Sequence, residues 1–469
     1  MSVVTIEPVT RIEGHARITI KKDDADKILG AHLEVMELRG FEKLLQGMEI
    51  DKMPLVTARI CGVCPVAHHI ASSKALDACY QTHPPPAGQA YRHILLLGHL
   101  VHSHALSLFV LSGPDIFLGI DVPAEQRNIV HLASVKPDLT KKALRLRTIG
   151  QLVVETLGGR GIHPVTSVAG GVTRSMTHDE KKKIINWIQE GKILVKELLA
   201  TVRQALRALE KKCPEYKLQV YNAAHVDAGG NWDIYGDHLT VKDANGADIV
   251  DFTAQQYADY FEEKTFEDSY MKNVSLKLNN SLEKFWVGPL ARLNVSNSLG
   301  SEWADKEREI LFTHFGQPVS SPIALHEARL IEIIAALQKL KMLILDPGLG
   351  QGVWRHEIKN KPGAGIGSVE APRGVLVHHY ETDEDGKVSG VNLIVATQNN
   401  YLAIDDALAQ AAANYLASAS APDGQILNGV EHALRMFDPC LACATHRIGH
   451  MPIEISVYKQ DTLVRRIRS

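Results

Sequence analysis

Alternation with a period of two opens the chain. Ala16-Arg17-Ile18-Thr19-Ile20 and Ala31-His32-Leu33-Glu34-Val35 flank a charged turn at Lys21 to Lys27, which predicts short strands. The period then lengthens. After Cys64 the spacing predicts a helix from Val66 to about Tyr80. Beyond the Pro84-Pro85-Pro86 break it predicts a longer one, Gly88 to Leu111, with His93, Leu97, Leu100 and His104 on one face. Leu144 to Leu157 reads as a helix stopped by Gly158-Gly159. Thr177 to Lys212 repeats apolar residues at Ile184, Ile188, Val195, Leu198, Val202, Leu206 and Leu209. Asp179 and Glu180 favour its start, and Gly191 is expected to mark a bend or division. From Lys217 to Val250 the texture is strand and turn, with Asn245-Gly246 between Leu239-Thr240-Val241 and Ile249-Val250 predicting a hairpin. Helical spacing returns at Ile323 to Leu345, Ile404 to Ser418 and Gln425 to Met436. The expected fold is mainly α, a single helical body with small peripheral β-sheets.

Composition narrows the function classes. With 469 residues, 45% of them hydrophobic, the chain can bury a large core. A net charge of −3 provides no field for nucleic acid or an acidic membrane. The most apolar stretch, Ile94 to Leu111, is broken by His99, His102 and His104, which argues against a membrane span. Histidines on such a face are expected as hydrogen-bonded core residues. The N-terminus has no basic segment followed by an apolar one, so the expected location is the cytoplasm, although a partner could carry an export signal. Two glycine-rich stretches, Gly348 to Gly352 and Gly363 to Gly367, lack dinucleotide spacing and a following Lys-Ser/Thr, and are expected as turns. By composition alone, Pro8 to His15 reads as a solvated loop.

The chemistry gathers at two Cys-x-x-Cys pairs, one near each end: Cys61 and Cys64, then Cys440 and Cys443, each followed by a histidine, His68 and His446. Thiols at i and i+3 can reach one metal, and two such pairs make a four-thiolate site if the fold brings them together. Cys79 and Cys213 are left over and read as core thiols. Structural zinc usually staples a local loop, which pairs so far apart serve poorly. An iron–sulfur cluster leaves the histidines unexplained. A catalytic nickel or iron centre with open positions is the third option, favoured if Glu13, Glu42 and Arg373 converge on the thiols.

Around these residues the sequence resembles the large, catalytic subunit of nickel–iron hydrogenases over nearly its whole length. The resemblance rests on Arg11-Ile12-Glu13-Gly14-His15, Arg39-Gly40-Phe41-Glu42, Arg59 to His68, Ala371-Pro372-Arg373-Gly374 and Asp438 to His446, in the family's order. It implies Cys61 and Cys440 as terminal thiolates on nickel. Cys64 and Cys443 would bridge nickel to an iron that also carries one carbon monoxide and two cyanides. Glu13 would relay a proton from a terminal thiolate. Arg373 would stand over the open position, paired with Asp438, and His68 would hydrogen-bond a bridging sulfur. Glu42 and His446 would bind magnesium, with a backbone carbonyl near Asn400. The reaction implied is reversible heterolytic cleavage of dihydrogen.

Some positions depart from the family's common form. Ser107 stands where many membrane-bound and periplasmic relatives have an aspartate, Ala396-Thr397 where a serine or threonine often donates to a cyanide, with Thr397 as the substitute, and Met436 where a small residue is usual. With Pro65 and Leu111 to Asp115, the pattern is similar to the cytosolic branch of NAD(P)-linked and viologen-reducing enzymes. Residues 1–446 would form a single domain. Residues 447–469 would be an extension removed by a maturation endopeptidase after nickel-insertion factors have acted. The chain has no further cysteines for a cluster and no flavin or nicotinamide motif. The implied partners are an iron–sulfur small subunit, together with a flavin and iron–sulfur module linked to NAD(P) or ferredoxin. Two other readings stay open: a non-catalytic relative of the complex I type, which typically lacks the four cysteines, and a dihydrogen sensor, which usually lacks the tail.

Overall fold

A computed structural model describes residues 2–25, 27–416 and 423–445, and the backbone of residues 454–459 and 462–468. Long helices form the body. Pro86–Leu106 packs against Pro137–Gly158 and Ala324–Leu345, and His178–Glu210 lies against both of those. Thr177 caps the last-named helix through a reciprocal capping box with Glu180, as the acidic start predicts. Its predicted apolar stripe is buried throughout. Gly191 does not divide the helix, which is continuous. A Cβ there would lie 3.2 Å from Leu337 Cδ2, so the glycine serves close helix packing.

Pro86–Leu106 is, with its continuation to Leu111, long and apolar enough to cross a bilayer by length and composition, yet it lies inside the protein. It ends in a wide turn, Ser107–Leu111, where Ser112 N bonds Ser107 O at 2.9 Å, five residues back. His99, His102 and His104 are buried; His104 is hydrogen-bonded as expected, its Nε2 2.8 Å from Glu332, whereas His93 is half-buried and stacks on Tyr235, with its Nε2 unpartnered among the described residues.

The predicted N-terminal strands are Ala16–Lys22 and Ile28–Val35, antiparallel, with Ser2–Ile6 as a third strand. The Asn245-Gly246 hairpin joins His238–Lys242 to Asp248–Thr253. These pair in a four-stranded sheet with Tyr221–Val226 and, in parallel to it, Phe285–Trp286. The sequence pattern had missed two further three-stranded sheets. One contains Phe261–Phe266, Ser269–Leu278 and Ser281–Glu283; the other contains Gly365–Ala371, Gly374–Thr382 and Val388–Ile394.

The last of these sheets corrects the turn expected at Gly363 to Gly367. Gly365 and Gly367 begin a strand that runs directly against the Pro65–Cys79 helix. A Cβ on Gly367 would lie 2.8 Å from Lys74 C, and closer still to Ala75 N and Ala71 O. These glycines are there for close backbone approach, not for a turn. At Gly348 the turn expected is found, a single tight turn at Pro347–Gly350.

Candidate metal centre

Three segments meet at one point. The first is the Cys61–Cys64 loop, which ends at the start of the Pro65–Cys79 helix. Pro65 suits the first helical position, where no backbone donor is needed. The helix N-terminus then favours negative charge on the adjoining sulfurs. Val63 N and Cys64 N also point at Cys61 Sγ, at 3.2 and 3.4 Å. The second segment follows the Asp423–Met436 helix, where Asp438 adopts a left-handed backbone conformation, φ 53°, and turns the chain into Cys440 and the short helix Leu441–Ala444.

The third is Pro8 to His15, where Pro8, Thr10 and His15 are exposed but the solvated-loop expectation fails for Arg11 and Glu13. Arg11 is bonded to the buried Asp115 at 2.7 and 2.9 Å, and Arg435 bonds the same carboxylate at 2.9 Å. Glu13 runs beside Cys440: Leu441 N bonds Glu13 O at 3.2 Å and Ala442 N bonds its carboxylate at 2.9 Å. Gly14 makes this approach possible. Its φ is +86° and a Cβ would lie 2.8 Å from Leu441 Cβ. Charge density in this segment marks inward partners, which composition by itself does not distinguish from solvent.

The four predicted cysteines converge and are buried. Cys61 Sγ lies 3.1 Å from Cys440 Sγ, while Cys443 Sγ is 3.0 Å from both Cys64 and Cys440. All four sulfurs fall within 4.8 Å of one another. Hydrogen bonds from Cys440, Cys443 and Cys64 hold the Cys61 thiol well below its ordinary range, whereas burial drives Cys440 and Cys443 well above it. Sulfurs this close share one centre readily, since metal–sulfur bonds of about 2.3 Å put tetrahedral ligands roughly 3.8 Å apart. The soft donor set and its burial fit a nickel–iron group.

Around the sulfurs stand the other predicted residues. Arg373 Nη2 bonds Asp438 Oδ1 at 2.9 Å, its Nε donates to Asp438 O, and its Nη1 is buried with no partner among the described residues. Despite burial, Asp438 and the sulfurs of Cys440, Cys64 and Cys61 keep this guanidinium charged. Burial pushes the Glu13 carboxyl above the ordinary carboxylate range, and the negative charge of Cys61 adds to that. His68 Nε2 lies 3.3 Å from Cys443 Sγ. Ser107 sits beside Asp438, and Thr397 Oγ1 accepts from Cys440 N at 3.0 Å.

Glu42 lies apart from the thiols. It is buried, with Lys272 Nζ and Leu393 N each 3.1 Å from its Oε1. The segment beside it is Asn392-Leu393. The Asn400 carbonyl accepts from Ile404 N at 2.8 Å and its side chain from Val287 N. His446 lies outside the described residues. Sequence reasoning did not single out Lys272, His378 or Tyr380. The last two occupy alternate positions of one strand and could have been found as a polar pair on its buried face.

Comparison with known proteins agrees with this geometry. A family model described as nickel-dependent hydrogenase matches residues 39–124 and 235–446, and one described as HoxL-like matches residues 3–38. The chain is 34% identical to a subunit of the vhc F420-non-reducing hydrogenase of Methanococcus voltae, over 98% of each chain. It is 35% identical to the NAD-reducing hydrogenase HoxS subunit beta of Cupriavidus necator, over 97% of each. A crystal structure of an NAD+-reducing nickel–iron hydrogenase in the H2-reduced state superposes with a TM-score of 0.90 at 33% identity, covering 95% of this chain and 100% of that one. A nickel–iron–selenium hydrogenase of D. vulgaris Hildenborough, 23% identical with a TM-score of 0.74, shares the fold. The chain therefore belongs to the nickel-dependent hydrogenase family, as a large, catalytic subunit.

Proposed function

We propose that this subunit cleaves dihydrogen reversibly and heterolytically, on a nickel–iron group held by Cys61, Cys64, Cys440 and Cys443. The convergence of four buried thiols with Glu13 and Arg373 carries the reading. In it, Cys61 and Cys440 would hold nickel alone, Cys64 and Cys443 would be shared between nickel and iron, and carbon monoxide and two cyanides would complete the iron. When bound, the group supplies the redox-active, Lewis-acidic centre at which dihydrogen is polarised. The protein's residues do the rest. Glu13 is within hydrogen-bonding reach of the Cys440 side chain and takes up its proton. A carboxyl raised by burial can hold a proton nearer neutrality and pass it on. Arg373, fixed by Asp438, presents an unspent N–H beside the thiolates and orients what binds there; lysine lacks that fork. His68 donates to the Cys443 sulfur and moderates its electron density. Glu42 and His446 hold magnesium, whose affinity Lys272 would temper.

Electrons leave through an iron–sulfur small subunit. Arg39 and Arg59, with the exposed Leu38, Leu55 and Ile162, flank the Cys61–Cys64 loop and support docking there, since Gly62 is exposed between two buried thiols. A flavin and iron–sulfur module then reduces NAD(P) or another soluble acceptor. The proposal takes the enzyme to be cytoplasmic and residues 447–469 to be removed by a maturation endopeptidase. The end of the nickel-dependent hydrogenase match at residue 446 supports that boundary. One preparation of the matured enzyme tests the whole reading. Nickel and iron by elemental analysis, infrared bands of bound carbon monoxide and cyanide, and an intact mass ending at His446 are expected. Zinc alone without such bands would refute it.

A further inference from the structure

Behind His68 runs a chain of buried polar side chains to which dihydrogen cleavage as described gives no role. His68 spans two partners: Nε2 is 3.3 Å from Cys443 Sγ, and Nδ1 is 3.0 Å from Nε2 of His378. Nδ1 of His378 is 2.6 Å from the Tyr380 hydroxyl, which lies 2.8 Å from Ser72 Oγ. All four side chains are fully buried. They come from two elements in van der Waals contact. His68 and Ser72, four residues apart, share one face of the Pro65–Cys79 helix; His378 and Tyr380 share one face of the Gly374–Thr382 strand.

The direction of every bond in this chain follows from its first member. A neutral imidazole has one N–H and one bare nitrogen. A metal-bound thiolate has no proton to donate, so the His68 nitrogen facing Cys443 carries the hydrogen. Nδ1 of His68 is then an acceptor, and His378 must donate to it through Nε2. That leaves Nδ1 of His378 as an acceptor for the Tyr380 O–H; with its single hydrogen spent there, Tyr380 has none for Ser72, and the 2.8 Å contact between the two hydroxyls takes its hydrogen from Ser72. The opposite arrangement would set the bare Nε2 of His68 against the sulfur lone pairs. Metal-site histidines are commonly fixed by a partner of this kind on the far nitrogen.

We propose that His378 and Tyr380 are positioning residues that lock His68 in the tautomer whose Nε2–H reaches Cys443, and so set the electron density on that sulfur. The inference rests on reading Cys443 as a bridge to an iron that carries carbon monoxide.

Infrared spectroscopy of the matured, metal-loaded complex tests it. Tyr380→Phe keeps the ring and removes the hydroxyl that donates to His378. With His68 no longer held, the sulfur regains electron density and passes it to iron, so the carbon monoxide band shifts to lower wavenumber at unchanged nickel and iron content. His378→Ala shifts the band the same way, and Tyr380→Phe adds nothing in that background because the two act in series. Ser72→Ala leaves the band in place, since Tyr380 still donates to His378. Coincident bands in wild type and Tyr380→Phe would overturn the inference, as would shifts of the two single variants that simply add. A wild-type complex with no carbon monoxide or cyanide bands would instead sink the reading of the iron ligands, and this inference with it.

Discussion

Replacing Gly367 by alanine adds one methyl group where the strand Gly365–Ala371 crosses the Pro65–Cys79 helix. The new Cβ would lie 2.8 Å from Lys74 C, where 3.4 Å is the lower limit of ordinary contact, and nearer still to Ala75 N and Ala71 O. All three are backbone atoms of the helix, so no side chain can swing aside. The two elements must part by roughly 1 Å, a kind of overpacking that destabilises by about 1–3 kcal/mol. The helix begins at Pro65, directly after Cys64, and carries His68, whose 3.0 Å bond to His378 crosses the same boundary. Parting by about 1 Å takes that bond beyond hydrogen-bonding range. Thermal unfolding and metal analysis of the matured protein are the assays. Gly367→Ala is expected to lower both the unfolding midpoint and the nickel occupancy. Gly363→Ala, four residues earlier with nothing within 4 Å of its added Cβ, should change neither. Equal midpoints and equal nickel in the two variants would refute the close-approach argument.

Glu13→Gln keeps an oxygen for Ala442 N and removes the titratable proton, so dihydrogen turnover should fall by about 10²–10⁴-fold with metal content unchanged; wild-type turnover would remove Glu13 from the relay. The buried Arg292 joins two glutamates with opposite pH behaviour. Against burial it holds Glu332 down to about 2, whereas burial pushes Glu370 up to about 7 in spite of it. Stability from Glu332 is therefore present above its ordinary value of 4.5 and is lost as pH falls toward about 2. Ionised Glu370 destabilises as pH rises from 4.5 through about 7, by up to about 3 kcal/mol. Glu370→Gln should flatten the decline of the unfolding midpoint between those two pH values; an unchanged slope would count against this.

How far the sequence could be read depended on whether its signals were local. The stripe from Ile184 to Leu209 and the Asn245-Gly246 hairpin were legible because each is decided by residues within a few positions, through periodicity, a capping box and turn conformation. The two thiol pairs were legible as ligands because i and i+3 share one side of a turn. The glycines at 365 and 367 were not legible in the same way: what they approach, the helix at Ala71 to Cys79, lies about 290 residues earlier in the chain, and a run of alternating glycines with Ala364 and Ile366 between them looks the same in a turn as in a tightly packed strand. Pro8 to His15 misled for a related reason, since Arg11 and Glu13 find Asp115 and Cys440 only across the fold.

By itself, the sequence determined most of the longest helices, the hairpin, the two cysteine pairs and, through its motifs, the family. Tertiary structure decided the environment of those ligands: which thiol is stabilised as thiolate, which face of His68 meets sulfur, and how burial raises Glu13 while Asp438 and the sulfurs keep Arg373 charged. Those properties depend on distance and dielectric, and a linear sequence contains neither until it is folded.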